Sequence, residues 1–96
     1  VRAKVSPRAA EGYKFEVRFR TTYKWRKNKT EVMQEILDIV RSSFGKYKIT
    51  KNGKKVHRTH YTVYLGSESD LLMLRMADRE NLVFRVYSLS EKRLTD

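Results

Sequence analysis

Arg58, His60, Thr62 and Tyr64 take every second position of a run otherwise made of Thr59, Tyr61, Val63 and Leu65. On a strand, that alternation puts a guanidinium, an imidazole, a hydroxyl and a phenol on one side and leaves the other for burial. These groups bind rather than react. An arginine fork fits phosphate oxygens and guanine edges, and His and aromatic rings stack on bases. Lys14, Arg18 and Arg20 form a second such set, alternating with Phe15, Val17 and Phe19. Lys48, Arg85 and Tyr87 repeat the pattern on two further short runs, and Glu16 is the single acid among these outward positions. An ordinary solvated sheet face would mix acids with its bases, so one-sided charge favours a polyanion as partner.

A separate basic and aromatic cluster, Tyr23, Lys24, Trp25, Arg26 and Lys27, falls between periodic segments and reads as a loop. An exposed Trp there could stack on a base or enter a groove. It could equally fold back over the start of the next helix. Catalytic patterns are scarce. His57 and His60 are three apart, so on one strand they face opposite ways and cannot chelate together, and the chain has no other His and no Cys. Glu31, Glu35 and Asp38 share one helix face and read as solvated surface. The chain has no P-loop, no GxGxxG and no nucleophile paired with a base, so neither a cofactor nor a small-molecule substrate is expected.

Charge distribution supports the same reading. The net charge of +11 over 96 residues is concentrated: residues 1–30 carry +8, residues 31–66 carry +4 and residues 67–96 carry −1. A phosphate backbone is the common partner of such a field, because neutralising it releases condensed counterions. A membrane surface is a weaker match, since no basic amphipathic helix is visible and no apolar run approaches a membrane span. Without a secretory apolar segment, an intracellular protein is the default expectation.

The elements that must position these residues follow from periodicity. Residues 1–12 read as a basic tail, interrupted by Pro7, with room for a short helix or an added strand. One domain is expected over 13–90, and 91–96 form a C-terminal tail. Residues 13–21 alternate as a strand. Thr30 is a helix cap, and Val32, Met33, Ile36, Leu37, Ile39, Val40 and Phe44 keep helical spacing up to Gly45. A strand over 46–51 meets Asn52-Gly53, a two-residue hairpin signal, and a long strand then runs from Lys54 towards Ser67. Ser67 caps a second helix reaching Asn81, with Leu71, Leu72, Met73, Leu74, Met76 and Ala77 as its buried side. Residues 82–89 form the last strand, with Phe84 and Val86 on one face and Arg85 and Tyr87 on the other. The order is β-α-β-β-α-β. The expected class is α+β, a ferredoxin-like four-stranded antiparallel sheet with two helices on one face.

The stretches F-E-V-R-F-R-T-T, E-V-M-Q-E-I-L-D-I-V-R-S-S-F-G, K-Y-K-I-T-K-N-G and Y-T-V-Y-L-G-S-E-S-D-L-L-M-L, spanning Gly12 to Asn81, resemble the part of a LAGLIDADG homing-endonuclease repeat that follows its signature helix. The resemblance implies a sheet that forms a saddle over the DNA major groove. The signature helix carries that family's metal-binding acid and dimer interface, and only Ala10-Glu11-Gly12 matches its end, with Pro7 where the helix should continue. Glu11 is then the sole candidate for the metal carboxylate. What the resemblance implies is a DNA-binding relic or fragment without the nuclease.

The expected function is therefore a nucleic-acid-binding module, DNA favoured over RNA, that uses its basic sheet face and the Trp25 loop without catalysis. One alternative is a metal-dependent endonuclease of the LAGLIDADG type acting through Glu11 and Mg²⁺. The other is a protein-interaction domain that binds an acidic partner or a polymerase, or that self-associates.

Overall fold

The computed structural model describes residues 2–22, 27–55 and 58–90, with side chains described outside 21–22, 27–30, 52–55 and 58–59. In chain order these are β1 (Arg2–Val5), a 3-10 helix (Pro7–Glu11), β2 (Phe15–Thr22), α1 (Lys27–Ser43), β3 (Tyr47–Lys55), β4 (Arg58–Leu65), α2 (Glu68–Ala77) and β5 (Val83–Ser90). The protein is α+β, with two helices and a five-stranded mixed sheet in the order β1-β5-β2-β4-β3. The expected four-stranded antiparallel sheet is thus corrected. Strands β5, β2, β4 and β3 pair antiparallel, and β1 adds to the edge in parallel to β5, matching Arg2 with Tyr87 and Val5 with Ser90. Residues 1–12, with room for a short helix or an added strand, form both, although a four-residue strand is too short to display a period of two.

Helix α1 forms because its apolar residues recur at helical spacing. Val32, Met33, Ile36, Leu37, Val40 and Phe44 are buried against Val17, Phe19, Val63, Leu65 and Val86 of the sheet and Leu71 and Leu74 of α2. Both helices therefore cover one face, and the opposite face carries the outward residues of the strands. Helix α1 begins at Lys27, three residues before the expected Thr30 cap.

Three further boundaries differ from expectation. Strand β3 runs through Asn52-Gly53 instead of turning there. The pairs Asn52–His60 and Lys54–Thr59 bracket Gly53 as an extra residue, so the glycine marks a bulge. Strand β4 accordingly starts at Arg58, and His57 lies outside the described residues. Helix α2 ends at Ala77 rather than near Asn81. There the Asp78 carboxylate accepts hydrogen bonds from the backbone N–H groups of Leu82 (2.8 Å) and Val83 (2.9 Å), and it turns the chain into β5. Leu72, Met73 and Met76 of α2, expected inside, are exposed; Leu71 and Leu74 are buried. The helix is apolar on nearly every side, so spacing alone did not select the buried stripe.

Candidate nucleic-acid interface

The open face is built by alternation on β2. Phe15, Val17 and Phe19 turn to the helices, and Glu16, Arg18 and Arg20 turn away, opposite Tyr64, Thr62 and His60 of β4 and Tyr87 and Arg85 of β5. The first departure from expectation is Glu16. It is 1% exposed although it points to the open side. A buried carboxylate needs charged partners, and Glu16 has two, Lys4 Nζ at 3.1 Å and Arg18 Nε at 2.9 Å. Strand β1 is what brings Lys4 there. The Tyr87 ring sits against both cations, with Lys4 Nζ 5.2 Å and Arg18 Cζ 4.9 Å from its centroid. Two cations, one acid and one ring form a closed unit with a net charge of +1.

At the β3 side the same theme recurs. The 3-10 helix is capped by the Ser6 hydroxyl, which accepts from the Arg8 N–H, and it is closed by Gly12 at φ 94°. The left-handed backbone at Gly12 calls for glycine, whereas the tip of Lys46, 2.9 Å from where a Cβ would lie, could swing aside. Lys46 Nζ donates to the Glu11 carbonyl and lies 5.0 Å from the Tyr13 centroid. The turn holds Arg8 5.4 Å above Tyr64 and pairs it with Glu11 at 2.9 Å. The hydrogen bond from Arg8 holds the Glu11 carboxyl below its ordinary range. Burial, followed by the nearby Glu16 charge, pushes the Tyr64 phenol up.

The third group lies where β2 and β5 slip register between Arg18 and Phe19. The slip carries Phe84 to the basic side, correcting the expectation that it shares a face with Val86. Its ring lies 5.3 Å from Arg20 Cζ and 5.8 Å from the His60 ring. Phe84 is 39% exposed, whereas Val86 is buried.

Of the residues expected to bind, Lys14, Arg18, Arg20, Lys48, His60, Tyr64, Arg85 and Tyr87 have described side chains. Lys14, Arg20 and Arg85 are exposed, and the other five are half-buried. Arg58 pairs with Thr22 and Lys55 through the backbone, and its side chain is not described. Lys24, Trp25 and Arg26 lie outside the described residues. Lys27 sits in the first turn of α1 rather than in a loop. Thr62, expected at the wet surface, is buried. Phe84 lies on the other side from that expected, because a strict period of two hides a bulge.

Among the described residues, no group of three or more His, Asp or Glu is arranged to hold a metal ion, and no helix is long and apolar enough to cross a membrane. No family model matches the chain, and neither a curated protein nor a solved structure matches it.

Proposed function

We propose that this chain is a nucleic-acid-binding module that receives its ligand on the open sheet face, on a ferredoxin-like β5-β2-β4-β3 framework. The observation that carries this reading is the pairing of cations with rings on that side. Lys4 and Arg18 flank Tyr87, Arg8 lies over Tyr64, Arg20 lies over Phe84 and Lys46 lies over Tyr13. Such pairs offer positive charge to phosphates and flat apolar surface to bases or sugars at the same place. The resemblance to the DNA-contacting sheet of LAGLIDADG repeats points the same way and favours DNA. As for the endonuclease alternative, Glu11 is exposed and tied to Arg8, and hydrolysis would need further carboxylates gathered beside it.

The test is salt-titrated fluorescence anisotropy with single-stranded DNA, duplex DNA and RNA. Lys14, Arg20 and Lys48 have no ion pair among the described residues. Lys14→Glu, Arg20→Glu and Lys48→Glu together should weaken binding at least tenfold and leave the melting temperature within a few degrees. Unchanged affinity in the folded triple variant would refute the face as the binding surface. A second reading rests on Leu72, Met73 and Met76, which give α2 an exposed apolar side suited to a protein contact. The helix layer could serve a protein partner while the sheet serves nucleic acid.

A further inference from the structure

Eight arginines have described side chains, and four of them are ion-paired: Arg8 with Glu11, Arg18 with Glu16, Arg41 with Asp38 and Arg79 with Glu35. Of the other four, Arg2, Arg75 and Arg85 meet around one recess of about 390 Å³, whose remaining walls are Val83, Phe84 and Val86. The fourth, Arg20, stacks on Phe84 in that wall. The three guanidiniums come from β1, α2 and β5, and no acid lines the recess. Three like charges around one space repel one another unless an anion sits between them.

Among the described residues, β1 pairs with Tyr87–Ser90 of β5, and the recess lies beyond that pairing, along Val83–Val86. Arg85 and Phe84 also belong to the open face, whereas Arg75 belongs to the helix layer, so the recess carries the basic surface around this part of β5. From these observations we infer that Arg2, Arg75 and Arg85 form a phosphate pocket, in which a nucleic-acid strand lying on the open face places one backbone phosphate as it passes over the β5 edge. Arginine forks suit this ligand because each can give two parallel hydrogen bonds to phosphate oxygens. The exposed Phe84 ring on the adjoining wall offers a stacking surface for a base of the same strand. The inference rests on the nucleic-acid reading for the source of the phosphate, and on the arginine cluster alone for the pocket.

The experiment follows arginine Nε–H signals by NMR during titration with pyrophosphate, alongside anisotropy with a 12-nucleotide single strand, for the wild type, Arg75→Gln and the control Arg41→Gln. Arg75 makes no ion pair among the described residues and is exposed, so its replacement should not disturb folding. Saturable shifts at Arg2, Arg75 and Arg85 with pyrophosphate are expected. Arg75→Gln should lower the salt slope of strand binding by about 0.7, the single-strand value for one phosphate contact, and Arg41→Gln should leave it unchanged. Absence of saturable shifts overturns the pocket and leaves the sheet-face reading intact. Shifts with no change of slope in Arg75→Gln overturn the backbone phosphate and assign the pocket to a free phosphate. If the wild type binds no nucleic acid yet the shifts saturate, the functional reading falls and the pocket stands, again with a free phosphate as its ligand.

Discussion

Glu16 shows how one residue tunes the face. Its carboxylate is shielded by the long side chains that it holds, and it fixes Lys4 and Arg18 against Tyr87. Replacing it with Gln keeps the shape and removes the charge. Both cations retain solvent access, so the cost is that of charged hydrogen bonds rather than of stranded buried ions. Glu16→Gln should therefore destabilise by about 1–3 kcal/mol, read by urea unfolding. The same change removes one negative charge and so raises the net charge of the face by one, and nucleic-acid affinity should rise several-fold at low salt. A fall in affinity would mean that the ordered arrangement matters more than the charge. Tyr64 makes a separate prediction. Its folded-state phenol titrates above its ordinary value, chiefly through burial and then through Glu16. A raised value means that the native state holds the proton longer than the unfolded chain does. The contribution is thus fully present below about pH 10 and is lost as pH rises through the folded value. Tyr64→Phe should remove this part of the alkaline loss of stability, measured as melting temperature between pH 9 and 11.

At the scale of elements, the helix layer and the sheet were unequally legible. Helix α1 was plain because its apolar residues fall on one stripe and its polar residues on the other. Helix α2 is ambiguous in sequence because Leu71, Leu72, Met73, Leu74 and Met76 leave no polar side to orient it. The structure distinguishes them, with Leu74 fully buried and Met76 78% exposed. Leu74→Ala should cost about 2–5 kcal/mol, whereas Met76→Glu should stay within about 0.5 kcal/mol. Equal losses at both positions, by denaturant melts, would place α2 differently on the core. The strands show a related limit. Alternation identified the two faces of β2 and β4 correctly, but it failed at Asn52-Gly53 and at Phe84, where an extra residue interrupts the period. Long-range partners decide where a bulge falls, and a single run of residues does not contain them. Lys4 lies beside Glu16 only through a strand pairing with residues more than eighty positions away.

If the open face receives nucleic acid as proposed, the whole molecule sets how many phosphates it can meet. An eight-residue strand spans about 26 Å and five strands side by side about 20 Å, so the open face is roughly square and comparable to the width of a duplex. Charge on that side divides into two kinds. Lys4, Arg18 and Arg8 are held by the carboxylates of Glu16 and Glu11, and Lys46 by the Glu11 backbone carbonyl, and they act mainly to order the rings beside them. Lys14, Arg20, Lys48 and Arg85 have no ion pair among the described residues and are free to replace counterions. Only the second kind should contribute fully to the salt dependence. Four such contacts give a slope of log K against log salt of about −3.6 for duplex DNA and about −2.8 for single strands. A slope near −8 or steeper would mean that the paired cations leave their carboxylates on binding, or that residues such as Lys24 and Arg26 carry much of the contact. A slope shallower than −1 would contradict phosphate binding by the face altogether. The triple variant Lys14→Glu, Arg20→Glu and Lys48→Glu separates these outcomes. It removes three of the four free cations, so any binding that survives with a steep slope must come from the carboxylate-held cations or from residues outside the sheet face.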